Sequence, residues 1–187
     1  MTGILAYNWR MDEQIETSRL VLRDYRPTDL ESIHAYVSQP VVVQYAPWGP
    51  NSLEDTQEFL EEVQERKAQK PRLIYEFAIE RKEDGRQIGG CELVIDKQIP
   101  LEAILGYIIN PDYWGQGYAT EVTHKLVELA IHTFNAKTIK ATCDERNKGS
   151  IRVLEKSGFV QDKVIENDFL QKGEMRTTLV FRYANRE

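Results

Sequence analysis

Cysteine, histidine and long apolar runs are scarce in this chain, and each scarcity removes a class of function. Of 187 residues, two are cysteine and three are histidine. Cys91 and Cys143 sit in apolar, strand-like contexts without metal-ligand spacing. They read as reduced core thiols of a cytoplasmic protein, not as a disulfide framework. His34, His124 and His132 are scattered over helical patterns, so no metal centre is expected. No apolar run approaches the ~18 residues of a membrane span. The early residues Asn8, Trp9, Arg10, Asp12 and Glu13 are too polar for a signal peptide. Basic residues are outnumbered, 24 Lys and Arg against 30 Asp and Glu, for a net charge of −6. That balance argues against a nucleic acid or an anionic membrane as partner and suits a cationic one.

What is present is organised around residues 103–120. Ala103 to Ile109 is a continuous apolar run, the pattern of a strand buried on both faces. Asn110-Pro111-Asp112 is a turn signal. Gly115 and Gly117 then bracket Gln116 immediately before a helical pattern carried by Ala119, Val122, Leu126, Val127, Ala130 and Phe134. A helix start offers unpaired N–H groups and partial positive charge, and glycines let an anion approach the main chain. Strand, turn, glycine loop and helix together make a phosphate cradle without basic side chains, or else a plain strand–helix connection. No Gly-Lys-Ser/Thr follows, so this is not a Walker loop. No third glycine follows at dinucleotide spacing either.

The remaining chain reads as one domain. Residues 1–14 have no clear period and are expected to be a loose arm or a short helix, with a single domain over 15–187. Strands are expected at Ile15–Tyr25, Leu73–Ile79, Gln87–Asp96, 102–109, Lys137–Cys143, Phe159–Ile165 and Met175–Tyr183. Thr28 is the expected N-cap of a first helix whose inner face is Leu30, Ile33, His34 and Val37. Ser52 caps a second, with Leu53, Phe59, Leu60 and Val63 apolar and the opposite face rich in Glu, Gln and Lys. An aromatic loop holding Tyr45 and Trp48 joins them, either as a packed anchor or as a pocket wall. Asn147 starts a short helix that Gly158 ends. The unit of strand 102–109, crossover helix and strand 138–143 requires parallel strands, while the rest is hairpin-like. The expected fold is therefore α/β (α+β), with a mixed, mostly antiparallel sheet of about seven strands flanked by helices.

Three stretches resemble the GNAT family of acyl-CoA-dependent N-acyltransferases, in the RimJ/RimL-type branch of ribosomal-protein N-terminal acetyltransferases. They are residues 16–29, the Asn110-Pro-Asp-Tyr-Trp-Gly-Gln-Gly-Tyr-Ala-Thr-Glu121 string, and Asn147-Lys-Gly-Ser150 continuing to Glu155-Lys-Ser-Gly158-Phe159. Trp114 replaces the family's usual Gln or Arg, a mark of this branch. The resemblance implies acetyl-CoA as cosubstrate, an amine acceptor and no metal. It places the pyrophosphate on Trp114, Gly115, Gln116, Gly117, Tyr118, Ala119 and Thr120. The acyl carbonyl would lie against backbone N–H groups near Ile108 and Ile109, and the pantetheine arm against Asn147 and Ser150. Two parallel strands would splay to admit that arm.

Amine acetylation needs a neutral nucleophile, yet a lysine-type amine has a pKa of about 10.4 and an α-amine about 8. A base must therefore remove a proton, and the departing thiolate needs a hydrogen-bond donor. Many family members use a Tyr as the acid, but that position is Leu154, which leaves Ser150 for the role. The branch places a carboxylate shortly before the last strand, and Asp168 fits after one inserted residue; a polar turn residue is the plainer alternative. Glu92 and Glu102 are further carboxylates able to face the cleft, and Asp144 and Glu145 either attract a cationic acceptor or are solvated. Ile104 and Thr177 stand where the branch carries Glu and Asp, which bears on the acceptor. A protein N-terminus or a small amine is the expected acceptor, a non-catalytic acyl-CoA sensor is the alternative, and homodimerisation through strand edges stays open.

Overall fold

A computed structural model describes residues 14–96 and 102–184. The expected arm at 1–14 therefore falls, but for its last residue, outside the described residues. The elements in order are β1 (Ile15–Glu16), β2 (Leu20–Arg23), α1 (Leu30–Val37), α2 (Pro40–Val43), α3 (Leu53–Ala68), β3 (Ile74–Arg81) and β4 (Gln87–Ile95). They continue with β5 (Glu102–Ile109), α4 (Tyr118–His132), β6 (Thr138–Asp144), α5 (Lys148–Lys156), β7 (Phe159–Gln171) and β8 (Glu174–Tyr183). One sheet takes the order β1-β2-β3-β4-β5-β6-β8-β7, mostly antiparallel, with β5 and β6 parallel. Eight strands replace the expected seven because Ile15–Tyr25 folds on itself: Ile15 pairs with Leu22 around a turn closed by Thr17 N–H to Leu20 O at 2.9 Å.

Each sheet face buries its own core. Leu22, Ile79, Leu93, Leu105, Val122, Leu126 and Phe181 belong to the larger cluster, under α4 and α5. Tyr25, Ile33, Tyr36, Leu60, Val63 and Ala78 form the smaller one, under α1 and α3. Ser52 caps α3 as expected, accepting from Asp55 N–H at 3.1 Å. Thr28 does not cap α1. Asp29 does the local work instead, accepting the Arg26 N–H at 2.8 Å while its two oxygens hold the Arg23 guanidinium at 2.8 and 2.9 Å. A buried carboxylate paired in this way fixes where the chain turns into the helix. Leu53 is exposed, and the buried Thr56 takes a place on the inner face, bonded to His34 Nδ1 at 3.1 Å.

The feature that positions the site is a break in the sheet. β5 pairs with β4 from Ala103 to Ile109, but with β6 over only three residues, Glu102 to Ile104 against Thr138 to Lys140. From Lys140 onward β6 is committed to β8 on its other side. Beyond Ile104 the two parallel strands diverge. This corrects the expectation of a strand buried on both faces: Gly106, Tyr107 and Ile108 are only half-buried, because a gap lies where a neighbouring strand would be. Among the described residues no helix is long and apolar enough to cross a membrane.

Candidate active site

The glycine loop has the geometry its sequence suggested. Gly115 and Gly117 have φ of +73° and +82°, left-handed values that side chains resist. Gly117 is the N-cap of α4, and the first intrahelical bond runs from Glu121 N–H to Gly117 O at 3.0 Å. The amides of Tyr118, Ala119 and Thr120 thus have no acceptor within the helix, and the loop itself is exposed. Trp114 braces the loop from below, its indole Nε1 donating to Ile109 O at 2.7 Å. Arg19 braces it from the side: it donates to Gln116 O at 2.9 Å, lies over the Tyr118 ring and pairs with Glu121 at 2.7 Å. Glu121 also accepts from Thr17 and Ser18, and these bonds hold its carboxyl down at about 2.

A cavity of about 570 Å³ opens at the strand gap. Leu105, Gly106, Tyr107 and Ile108 line it from β5, and Ala141, Thr142, Cys143 and Asp144 from β6. Consecutive strand residues face opposite sides of a sheet. Lining by both sets therefore means that the cavity spans the gap, joining the α4/α5 side to the α1/α3 side. The ladder also decides which amides face it. Asp96 N–H bonds to Glu102 O, and Asn110 N–H to Ile88 O, so even-numbered β5 residues bond toward β4. The main-chain groups of Leu105, Tyr107 and Ile109 then point into the gap. Ile108 lines the cavity, but its amide serves the sheet.

On the α4/α5 side the lining is hydroxyl and amide. Asn147 caps α5, accepting from Ser150 N–H at 3.0 Å. The hydroxyls of Ser150 and Tyr107 lie 3.1 Å apart. Burial pushes the Tyr107 phenol up to about 12 and the Cys143 thiol up to about 11, so both are neutral donors near pH 7. Tyr107 is not among the expected site residues; its place in an apolar run hid a polar end that the gap exposes.

On the α1/α3 side the lining is acidic and aromatic. Glu76, Glu92 and Gly106 are register partners across β3, β4 and β5. Glu76 is buried and answered by Arg66 at 2.9 Å on each oxygen. Glu92 has no hydrogen-bond partner. Water reaches it through the open cavity, yet burial by the surrounding protein raises its pKa from the ordinary value, with Glu76 adding to the rise and Arg66 opposing it. Tyr45, Trp48 and Phe59 complete the wall. The loop carrying Tyr45 and Trp48 is pinned from the far end of the sheet, because Lys172 Nζ donates to Val43 O at 2.9 Å and Gln171 Nε2 donates to Ala46 O.

Other expected residues lie elsewhere. Asp168 is exposed within β7, which runs to Gln171 instead of ending at Ile165, and it does not line the cavity. Glu102 is tied to Lys140 at 2.7 Å away from the lining. Asp144 lines the cavity but is held by Arg146 at 2.7 Å, and Glu145 is exposed. Residues 114–120 are outside the lining as well, as befits a loop that would hold the far end of a long ligand. No cluster of metal-binding side chains occurs among the described residues.

The sequence profile of the acetyltransferase (GNAT) domain matches residues 19–160. The chain belongs to the GNAT acetyltransferase family. As such it is an N-acetyltransferase. It is 31% identical to the uncharacterized N-acetyltransferase YoaA of Bacillus subtilis (strain 168), across 89% of this chain and 94% of that one. A GNAT-family acetyltransferase from Bacillus anthracis shares the fold with a TM-score of 0.82 at 23% identity, covering 94% of this chain and 100% of the other. A spermidine N-acetyltransferase from Vibrio cholerae, solved with CoA and spermine, gives 0.75 at 21% identity, covering 89% and 95%. Ribosomal-protein acetyltransferases are among the structural neighbours too, at 22% and 18% identity, and share the fold.

Proposed function

We propose that this GNAT enzyme transfers an acetyl group from acetyl-CoA to a primary amine, with the donor entering the strand gap from the α4/α5 side and the amine from the α1/α3 side. The observation that carries this reading is the continuity of one cavity across the gap, with Glu92 on one side and Ser150 and Tyr107 on the other. The free amides at 118–120 behind two left-handed glycines suit a diphosphate. The main-chain N–H and C=O of Tyr107 and the N–H of Ile109, which face the gap, suit an amide-bearing arm lying along β5. When bound, acetyl-CoA supplies the activated acyl group.

The protein's own groups then divide the work. In its ionised form Glu92, which has no hydrogen-bond partner, accepts the proton of the incoming ammonium, directly or through water. Its raised pKa makes it a stronger base than an ordinary carboxylate. An amide of Tyr107 or Ile109 steadies the charge that develops on the carbonyl oxygen. Ser150 and Tyr107 offer hydrogen bonds to the leaving sulfur, and their mutual bond keeps both in place. Asp168 has no evident part, being exposed and outside the cavity. The reduced thiols and the acidic surface suit a cytoplasmic enzyme. Thiol release from acetyl-CoA with a panel of amines and N-terminal peptides tests the reading: release with an amine supports it, while acetyl-CoA binding without release would favour an acyl-CoA sensor.

A further inference from the structure

The cavity lining is one-sided in charge. Six carboxylates line it, Asp55, Glu58, Glu62, Glu76, Glu92 and Asp144, and no Lys, Arg or His does. Three arginines outside the lining answer them, Arg176 among them at 3.7 Å from Asp144. Arg66 is spent on Glu62 and Glu76 through three donors at 2.8 to 2.9 Å, and Arg146 on Asp144. Asp55 is occupied at the start of α3, accepting from Ser52 N–H at 2.7 Å. Glu58 has no hydrogen bond or ion pair among the described residues, and neither does Glu92 beyond the more distant influence of Arg66.

Among the described residues Glu58 and Glu92 are the two lining carboxylates left unanswered. Asp55, Glu58 and Glu62 recur at intervals of three and four on one face of α3, where like charges repel. A single amine does not relieve this, because it must lose its proton at Glu92 to react. Phe59 and the exposed Trp48 line the same cavity as Glu58, surfaces for methylene groups and for an ammonium over a ring face. An acceptor with a carboxylate or phosphate would meet no cationic side chain in the lining.

Resting on the acetyl-transfer reading, we propose that the acceptor is a dication: a primary amine joined by a short alkyl chain to a second ammonium. The reacting amine sits at Glu92. The second ammonium, whose pKa of about 10.4 keeps it charged at pH 8, sits between Glu58 and the Trp48 ring. Acceptors whose remote group is anionic are rejected.

Three probes of equal chain length separate the alternatives: 1,4-diaminobutane, n-butylamine and 4-aminobutyrate. Calorimetry on the CoA-bound protein reads their binding, and thiol release reads their turnover. The diamine is expected to bind about tenfold more tightly than butylamine, with 4-aminobutyrate weakest, and added salt should narrow the gap. Glu58→Gln should shrink the diamine-to-butylamine ratio to about twofold. Equal affinity for the two amines, an unchanged ratio in Glu58→Gln, or no binding of any probe would overturn the dication assignment. Selective, Glu58-dependent binding without thiol release would leave it standing and overturn acetyl transfer instead. Release with butylamine as fast as with the diamine would do the reverse.

Discussion

The two sides of the sheet gap offer a ligand different chemistry. On the α4/α5 side the working groups are main-chain amides, two left-handed glycines, an Asn cap and neutral hydroxyls. On the α1/α3 side they are carboxylates and aromatic rings borne on α3, β3, β4 and a pinned loop. Backbone recognition fixes residue types: only glycine is at ease at φ near +80°, and only a few residues cap a helix. Side-chain recognition leaves the backbone indifferent, so charge and shape can change without altering the fold. A donor shared across the family suits the first half, and an acceptor peculiar to one enzyme suits the second.

The contrast is broken most severely at the loop. Gly117→Glu forces a side chain into a left-handed position and puts a carboxylate beside the amides of 118–120. Acetyl-CoA affinity by calorimetry should fall at least about 100-fold, and amine affinity should hold. Glu92→Gln attacks the other half. Loss of a general base should lower kcat by about 100-fold or more while acetyl-CoA affinity stays within twofold. In the wild type the rate climbs with pH as Glu92 ionises through its raised pKa, and the variant should lose that climb. Stability moves the opposite way. A carboxyl whose folded pKa lies above its unfolded value contributes stability at low pH and loses it as pH rises through the folded value. Glu92→Gln should therefore melt higher than wild type at pH 8 in a thermal scan.

Smaller effects sharpen the division. Tyr107→Phe and Ser150→Ala should each lower kcat about tenfold, and the double variant should fall short of their product, because each hydroxyl positions the other. Gly106→Ala is subtler: its new Cβ would lie 2.8 Å from Glu92 Oε1, so the carboxylate must move. The expected result is a several-fold loss in kcat/KM for the amine with acetyl-CoA affinity unchanged. Asp168→Asn should leave kcat and its pH profile within twofold, since Asp168 is exposed and outside the cavity.

The same division governed what was legible in the sequence. Strand, glycine loop, α4 and the Asn147 cap were readable because each rests on local backbone rules, and the helix and strand periods gave the layers. The β1–β2 hairpin, the length of β7 and the Asp29 turn were not, because long-range pairing and one buried ion pair set them. Glu92 could be named only as one carboxylate among several; its cross-strand neighbours Glu76 and Gly106 distinguish it. Tyr107 could not be named at all, since nothing in an apolar run announces which residue borders a gap. Asp168 differs for a related reason: a motif gives its place along the chain, but β7 carries it outside the cavity lining.

The central claim is that the donor's arm lies in the gap between β5 and β6. A crystal structure of the CoA complex tests it most directly. Density for the arm should run between Leu105–Ile109 and Ala141–Cys143, with the sulfur within hydrogen-bond reach of Ser150 or Tyr107 and the diphosphate on the amides of 118–120. CoA bound elsewhere, or a gap closed by continued β5–β6 pairing beyond Ile104, would contradict it.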